Sequence, residues 1–448
     1  MLRFKIKRIF VLLLLFLLLA ACASKDPWLQ ETGRAAGVPS DQNQPFGRYI
    51  EESRKNIEEI LAARRFPNGK SPYLGGYSAA QAAKMRAPFE ILSEQGDTCQ
   101  NGGLGKGKGF LLIHGLTDSP YLMRSIAASL HKAYPCGVIR AVLLPGHGTV
   151  AGDSLKMKHE DWMAITDYGV RSFEKMESIS DLYLVGFSTG TALAIRQLQD
   201  GSKSTKIKGL ILLSTAVKAK DRAAFLSPYL RWVKDWLSTF EERDAARYES
   251  FSVNAGAEFY LLTRDIIKSR YTVEVPVLMA VSADDETIDA AAARQFFCNR
   301  TTSQRRSLIW YASRHGEKNI DPPCSDIKEI QLGPVDRDFR GTGYRFANYA
   351  HTALSMSPAD PHYGVGGHYH NCKSYEEKSD TEDFDNCQKG SAMTIFGEKD
   401  IASKEAKKEL NYDYWRRGTF NPDYPRLERA IVCFADENCD LKKALDDR

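Results

Sequence analysis

The chain has 448 residues, of which 43% are hydrophobic and 26% are charged. This composition excludes a wholly disordered chain, a collagen-like chain and a membrane protein with many spans, and the length allows about three domains of ~150 residues. Lysine and arginine exceed aspartate and glutamate by only four, so the charge gives no reason to expect a nucleic-acid partner.

The first 21 residues have the pattern of an export signal. Four basic residues within positions 3–8 precede an apolar run over 9–21, which is shorter than the ~20 residues needed to cross a bilayer. Residues 19–22 read LAAC and resemble the lipobox of bacterial lipoproteins, in which the cysteine becomes the lipid-bearing first residue of the mature chain. The resemblance implies a membrane anchor at Cys22. Ala23 in place of aspartate implies an outer-membrane address, facing the periplasm or the cell surface; ordinary signal cleavage with an incidental Cys22 is the alternative.

The eight other cysteines are an even number in a chain predicted to be exported, which favours disulfides. None of their spacings resembles a paired C-x-x-C zinc site. Eight thiols allow 105 pairings, and closeness in sequence alone selects one set. The predicted pairs are Cys99–Cys136, Cys298–Cys324, Cys372–Cys387 and Cys433–Cys439.

The next elements follow in chain order. Residues 23–45 are polar and predict a tether, and helices are predicted over 48–65 and 79–93. Beyond a Gly/Lys loop, short apolar runs alternate with amphipathic stretches, which predicts a mostly parallel, doubly wound α/β sheet covered on both faces. The predicted strands are 110–113, 138–144, 182–185, 207–213, 275–281 and 308–311, and the predicted helices are 121–134, 162–176, 189–199 and 290–297.

An insertion at about 216–271 interrupts this rhythm. Its apolar residues stand at near-helical spacing, and we expect a helical lid whose apolar side chains line a substrate pocket. Residues 312–448 are predicted to be loop-rich, with a final helix at about 425–434. The expected organisation is a signal peptide over 1–21, a tether and N-terminal helical extension over 22–105, and a main domain over 106–448.

Residues 186–190 read GFSTG, a G-x-S-x-G pattern with an apolar run before it and an amphipathic stretch after it. In that context the pattern predicts a sharp strand-to-helix turn that presents Ser188 at a helix N-terminus. Residues 110–115 are a predicted strand that ends in His-Gly. The backbone N–H groups of Leu116 and Thr189 are therefore the candidate donors to a tetrahedral oxyanion, and His114 is interpreted as a structural residue of that loop.

These motifs, together with LPGHG at 144–148, resemble the α/β-hydrolase superfamily, in particular its carboxylesterase-like and monoacylglycerol-lipase-like members. The resemblance covers about 107–300. It implies the α/β-hydrolase fold and a triad of serine, acid and histidine in that chain order, which hydrolyses carboxylic esters without a cofactor.

The acid of the triad is expected after the strand at 275–281. The resemblance favours Asp285, and Asp284 is the main competitor. For the histidine, His351 lies in a stretch, 348–358, similar to the S-H-x-x-L-x-x-S-P segment of larger exported hydrolases, with Ala350 replacing the serine. His315, 30 residues after Asp285, is the alternative base.

A second cluster contains His362, His368, His370 and Cys372. Its spacing matches no familiar zinc site, so no metal and no cofactor are expected. The sequence thus predicts a lipid-anchored serine ester hydrolase that acts on a small-molecule or lipid ester, with the oligomeric state open. An acyltransferase with the same triad and a non-catalytic binding lipoprotein are the alternatives.

Overall fold

The computed structural model of the chain describes residues 26–94, 99, 103–201, 204–313, 324–331, 344–376, 381–391, 394–398 and 411–446. The predicted signal peptide, Cys22 and His315 lie outside these residues. Within them, no helix is both long enough and apolar enough to cross a membrane.

Eight strands form the central sheet in the order β1-β3-β2-β4-β5-β8-β9-β10, and all neighbours are parallel except β1 and β3. Three short parallel strands form a second sheet, β11-β12-β13, and β6 and β7 form an antiparallel pair. The strands are β1 (Phe89–Ile91), β2 (Lys108–Ile113), β3 (Val138–Val142), β4 (Asp181–Phe187), β5 (Ile207–Leu213), β6 (Trp236–Ser238), β7 (Phe251–Ser252), β8 (Val277–Ser282), β9 (Arg306–Ala312), β10 (Ile327–Gln331), β11 (Arg345–Phe346), β12 (Ile395–Gly397) and β13 (Trp415–Arg417).

Twelve α-helices are found among the described residues. They are α1 (Phe46–Arg65), α2 (Ala79–Arg86), α3 (Arg124–Ala133), α4 (His159–Glu174), α5 (Thr189–Asp200), α6 (Ser227–Leu230), α7 (Val253–Lys268), α8 (Ala290–Arg300), α9 (Lys373–Glu376), α10 (Thr381–Lys389), α11 (Tyr424–Phe434) and α12 (Leu441–Asp446).

The central sheet separates two hydrophobic cores, because successive side chains of a strand point to opposite faces. In β2, Phe110 and Leu112 pack into the core formed with α3 and α11, whereas Leu111 and Ile113 pack into the core formed with α4, α5, α7 and α8. The large, mostly parallel sheet with helices on both faces confirms the predicted α/β-hydrolase fold.

The N-terminal extension differs from the prediction in two ways. The helix expected over 79–93 ends at Arg86, since proline follows at 88, and the chain then continues as β1. Because β1 belongs to the central sheet, the main domain begins before residue 106. The tether expected over 23–45 is also wrong from residue 26 onward: Thr32 donates to Asp153 (2.9 Å) and Leu29 is buried, because these residues pack against the loop after β3.

Further differences lie after residue 216. The insertion contains a 3-10 turn (Arg222–Leu226), the short α6, the β6–β7 pair and one long helix, α7, so it is only partly helical. Within the region predicted to be loop-rich, β10 forms a parallel edge strand beside β9. The helix predicted at about 425–434 is present as α11, and one more short helix, α12, follows it.

Four disulfides lie among the described residues, and their pairs are the four selected by closeness in sequence. They join Cys99 to Cys136, Cys298 to Cys324, Cys372 to Cys387 and Cys433 to Cys439.

Candidate active site

Ser188 stands at a sharp turn between β4 and α5, with φ +51° and ψ −120°, a conformation that is strained for a residue with a side chain. The glycines on either side make the turn possible. A Cβ at Gly190 would lie 2.0 Å from the carbonyl oxygen of Ile113, and one at Gly186 would lie 2.5 Å from that of Gly190. The turn therefore brings Ser188 against the end of β2, where the loop starting at His114 begins.

The imidazole of His351 lies between Ser188 and Asp285. The distance from Ser188 Oγ to His351 Nε2 is 2.9 Å, and that from His351 Nδ1 to Asp285 Oδ2 is 2.6 Å. A carboxylate can only accept, so Nδ1–H donates to Asp285 and Nε2 is left to accept the Ser188 hydroxyl. All three side chains are buried or nearly so, with exposed fractions of 6%, 3% and 0% for Ser188, His351 and Asp285.

Asp285 and the neighbouring Asp284 have different hydrogen-bond partners. Asp285 Oδ1 accepts the N–H groups of Thr287 (2.8 Å) and Ile288 (2.9 Å), which fixes the carboxylate on the loop after β8. Asp284, the competing acid, accepts from the backbone and hydroxyl of Ser313 instead. The structure thus brings Asp285, and not Asp284, next to the imidazole of His351.

The loop after β2 supplies the candidate oxyanion donors. No hydrogen bond in the described part of the chain uses the N–H of Leu116, and the N–H of Thr189, as the first residue of α5, has no acceptor within that helix. A Cβ added to Gly115 would lie 2.9 Å from Ser188 Cβ. The loop that carries Leu116 therefore passes next to Ser188.

Two histidines hold that loop. His114 Nε2, in the loop after β2, accepts the N–H of Leu144 (3.0 Å), and His147 Nε2, in the loop after β3, accepts the N–H of Thr117 (3.1 Å). These two hydrogen bonds join the two loops. Burial lowers the pKa of His114 well below its ordinary value and that of His147 to about 4, which keeps both imidazoles neutral and able to accept. His114 therefore has the structural role that the sequence indicates.

Two pairs of charged residues that the sequence did not point to lie around the site. Glu398 accepts the backbone N–H of His351 (2.5 Å) and pairs with Arg417. Burial raises the pKa of Glu398, and Arg417 opposes that rise.

Asp118, in the loop after β2, faces Arg247 of the insertion at 3.3 Å between Oδ1 and Nη1. Burial also raises the pKa of Asp118. Arg247, and to a smaller extent His351, oppose that rise. Of these residues, only Asp118 could have been noticed in the sequence, because it stands three residues after Gly115 of the His-Gly motif.

A narrow polar cleft begins at Thr352, next to His351. Its volume is about 10 Å³, the space of about one water molecule. Its other lining residues are Leu122, Asp244, Arg247, Tyr363, Tyr369, Asn371 and Thr419. The insertion contributes Asp244 and Arg247 here, and not the apolar side chains expected to line a pocket. A larger cavity of about 500 Å³, bordered by Tyr77 and Tyr121, has no triad residue in its lining.

The histidine cluster after residue 360 does not converge on one point. Cys372 is bound to Cys387, His362 Nε2 lies 2.9 Å from Asp244, and His370 Nδ1 donates to the carbonyl of Gln388. Elsewhere in the described residues, His159, Glu160 and Glu258 are close enough to bind a metal ion, but Arg231 already pairs with Glu258.

Comparison with known proteins gives one family match over part of the chain and several similar solved structures. The model of the alpha/beta hydrolase family matches residues 110–323. Similar solved structures include one described for the metagenome-derived lipolytic enzymes LipS and LipT (20% identity, 49% of this chain and 86% of that chain, TM-score 0.39). A second is a soluble variant of monoglyceride lipase from Saccharomyces cerevisiae (14% identity, 50% of this chain and 81% of that chain, TM-score 0.40). Another is a monoacylglycerol lipase from Paleococcus ferrophilus (19%, 50% and 88%, 0.38). No curated protein matches the chain.

Proposed function

We propose that this chain, which has the α/β-hydrolase fold, is a serine hydrolase of carboxylic esters. The observation that carries the proposal is the continuous contact from Ser188 Oγ through His351 to Asp285, 2.9 Å and 2.6 Å long, at a strand-to-helix turn. This is the arrangement in which a serine hydroxyl is activated as a nucleophile by a base that a carboxylate orients.

The proposed reaction passes through an acyl-enzyme. His351 Nε2 takes the proton of Ser188 as Oγ attacks the ester carbonyl carbon, and Asp285 stabilises the imidazolium. The N–H groups of Leu116 and Thr189 bind the oxyanion. When the tetrahedral intermediate collapses, the bond to the leaving alcohol breaks and His351 returns the proton to that alcohol. Water activated by the same imidazole then cleaves the acyl-enzyme and releases the acid.

The test of the nucleophile is covalent labelling of the full chain in detergent with a fluorophosphonate. We expect an adduct confined to Ser188, no adduct on the Ser188→Ala variant, and loss of ester hydrolysis by about 10⁴-fold or more in that variant. Ser172→Ala, which changes a serine on α4 that donates to the Gly169 carbonyl, is the matched control and should label normally. Unchanged turnover by Ser188→Ala would overturn the proposal.

The general base and the acceptor of the acyl group are tested in separate experiments. His351→Ala should abolish labelling at Ser188 while His315→Ala retains it; the reverse result would transfer the role of base to His315. Adding an alcohol during turnover distinguishes hydrolysis from acyl transfer, since an acyltransferase would yield the new ester in place of the free acid. A folded chain that never labels would favour a binding protein.

We further propose that Cys22 carries a lipid that anchors the mature chain in the outer membrane. The support is the basic and apolar leader followed by LAAC at 19–22. Metabolic labelling with a fatty-acid analogue should tag the wild-type chain and not the Cys22→Ala variant. A wild-type chain without label would overturn the anchor and leave the proposed chemistry untouched.

A further inference from the structure

Exposed apolar side chains are concentrated in one short part of the insertion. Of the eleven large hydrophobic residues exposed in the described part of the chain, seven lie within 225–237, and Trp232 and Val233 are 79% and 77% exposed. The apolar patch consists of Phe225, Leu226, Tyr229, Leu230, Trp232, Val233 and Leu237. Seven such residues in thirteen positions form a patch of the kind that marks an interaction site, whereas scattered surface hydrophobic residues need no explanation.

The apolar patch is held by polar contacts on the body of the protein. Arg231 pairs with Glu258 of α7, whose carboxylate also accepts from His159. The N–H of Val253 donates to the carbonyl of Asp235 (2.8 Å), and β6 pairs with β7. Because these contacts occupy the polar groups of the segment on the protein side, its aromatic and aliphatic side chains remain on the solvent side.

The segment around the patch is positively charged. Residues 218–235 contain five lysines and arginines but only two aspartates, a net charge of +3. Lys220, Arg222 and Lys234 form no ion pair within the described residues. An apolar surface with aromatic residues and surrounding cations is complementary to an anionic bilayer, where aromatic rings lie at the headgroup level and each cation near the surface adds attraction.

The start of the described chain lies beside the same segment. Trp28 donates its indole N–H to the carbonyl of Phe240 (3.3 Å), three residues after Leu237 of the apolar patch. Only four residue steps separate Asp26 from Cys22, which limits the distance between their Cα atoms to about 14 Å. A lipid on Cys22 would therefore hold the bilayer close to the apolar patch.

We propose that the apolar patch docks onto the anionic lipid surface of the membrane that holds the anchor, so that the insertion faces the bilayer. The inference rests in part on the anchor proposed at Cys22. The patch enters the boundary between headgroups and acyl chains, and Lys220, Arg222 and Lys234 contact the lipid phosphates. Because the insertion also contributes Arg247 beside Asp118, the docked surface and the candidate active site share one segment of the chain.

The experiment is fluorescence quenching of the full chain in vesicles of phosphatidylcholine and phosphatidylglycerol in which the phosphatidylcholine acyl chains are brominated. Trp232 is the only exposed tryptophan among the described residues, so Trp232→Phe should remove about half or more of the quenched intensity. The matched control is Trp310→Phe, since Trp310 is buried in β9 and its replacement should leave the quenched intensity unchanged. Quenching of Trp232 should be weaker in vesicles without phosphatidylglycerol.

Three results would overturn the docking. Equal quenching in wild type and Trp232→Phe, with both floating with the vesicles, would mean that the patch faces away from a membrane to which the anchor still holds. Failure of the wild-type chain to float would overturn docking and anchor together, without affecting the labelling of Ser188. A dimer in detergent that dissociates in Trp232→Phe would show that a second copy of the chain covers the patch.

Discussion

Glu398 holds the main chain of His351 from a position 47 residues further along the chain, just after β12. Its carboxylate accepts the His351 N–H and pairs with Arg417 of β13, so two short strands of the second sheet support the imidazole. Ser188 was predictable because its motif stands between a recognisable strand and helix. Glu398 was not, since strands of two or three residues carry no periodic pattern and only the fold brings their ends to His351.

Replacement of Glu398 should therefore impair catalysis by misplacing His351. Glu398→Ala removes both the acceptor and the partner of Arg417, and we expect kcat to fall by about 10- to 100-fold with KM little changed. Glu398→Gln keeps an acceptor for the His351 N–H and should lose less. Steady-state kinetics on one ester, with fluorophosphonate labelling rates as a second readout, tests this. If both variants lose only thermal stability and label at the wild-type rate, the role of Glu398 is structural alone.

At the scale of elements, the strands at the centre of the sheet were predicted well because they are buried on both faces and read as continuous apolar runs. For example, β5 spans the predicted 207–213 and β9 extends the predicted 308–311 by only a few residues. The insertion was predicted less well. Its apolar spacing indicated a helix facing a pocket, yet seven apolar side chains within 225–237 are exposed, since periodicity identifies an apolar face without saying what covers it.

The burial of His147 where the two loops meet predicts how the free energy of unfolding depends on pH. Burial lowers the pKa of His147 to about 4, against about 6.5 in the unfolded chain. Its contribution to folding is therefore complete above pH 6.5 and is lost as the pH falls toward 4, by about 3 kcal/mol, because only the unfolded chain binds the proton. Urea unfolding at several pH values should show this loss, and His147→Gln should reduce its slope. An unchanged slope in His147→Gln would contradict the assignment.

At the scale of the whole molecule, the N-terminal extension is part of the main domain. Arg65 donates to the carbonyls of Glu241 and Glu242, and β1 completes one edge of the central sheet. Polar residues over 23–45 predicted a tether ahead of the helical extension. Polar composition predicts exposure, but it does not reveal hydrogen bonds such as that of Thr32 to Asp153, made to a partner 121 residues away.

Arg86 is the point where this extension meets the active-site side of the molecule. Its guanidinium, 2% exposed, donates to the carbonyls of Ala245 (2.7 Å), Thr149 (2.8 Å) and Asp244 (2.9 Å). Arg86→Ala leaves three buried carbonyls without this donor, and we expect the free energy of unfolding to fall by about 3 kcal/mol or more. Arg86→Lys should recover only part, because an ammonium lacks the planar fork that reaches several acceptors.

The same change should reach the candidate active site, because Asp244 and Ala245 lead directly to Arg247, which faces Asp118. In the fraction of Arg86→Ala that remains folded, labelling of Ser188 by a fluorophosphonate should be slower than in wild type. Arg48→Ala is the matched control, since the ion pair of Arg48 with Glu52 is exposed and contributes little to stability. If Arg86→Ala unfolds at the urea concentration of Arg48→Ala and labels as fast, the extension folds and acts independently of the site. A loss of both stability and labelling rate would instead mean that residues before the first motif help to position the candidate active site around Ser188.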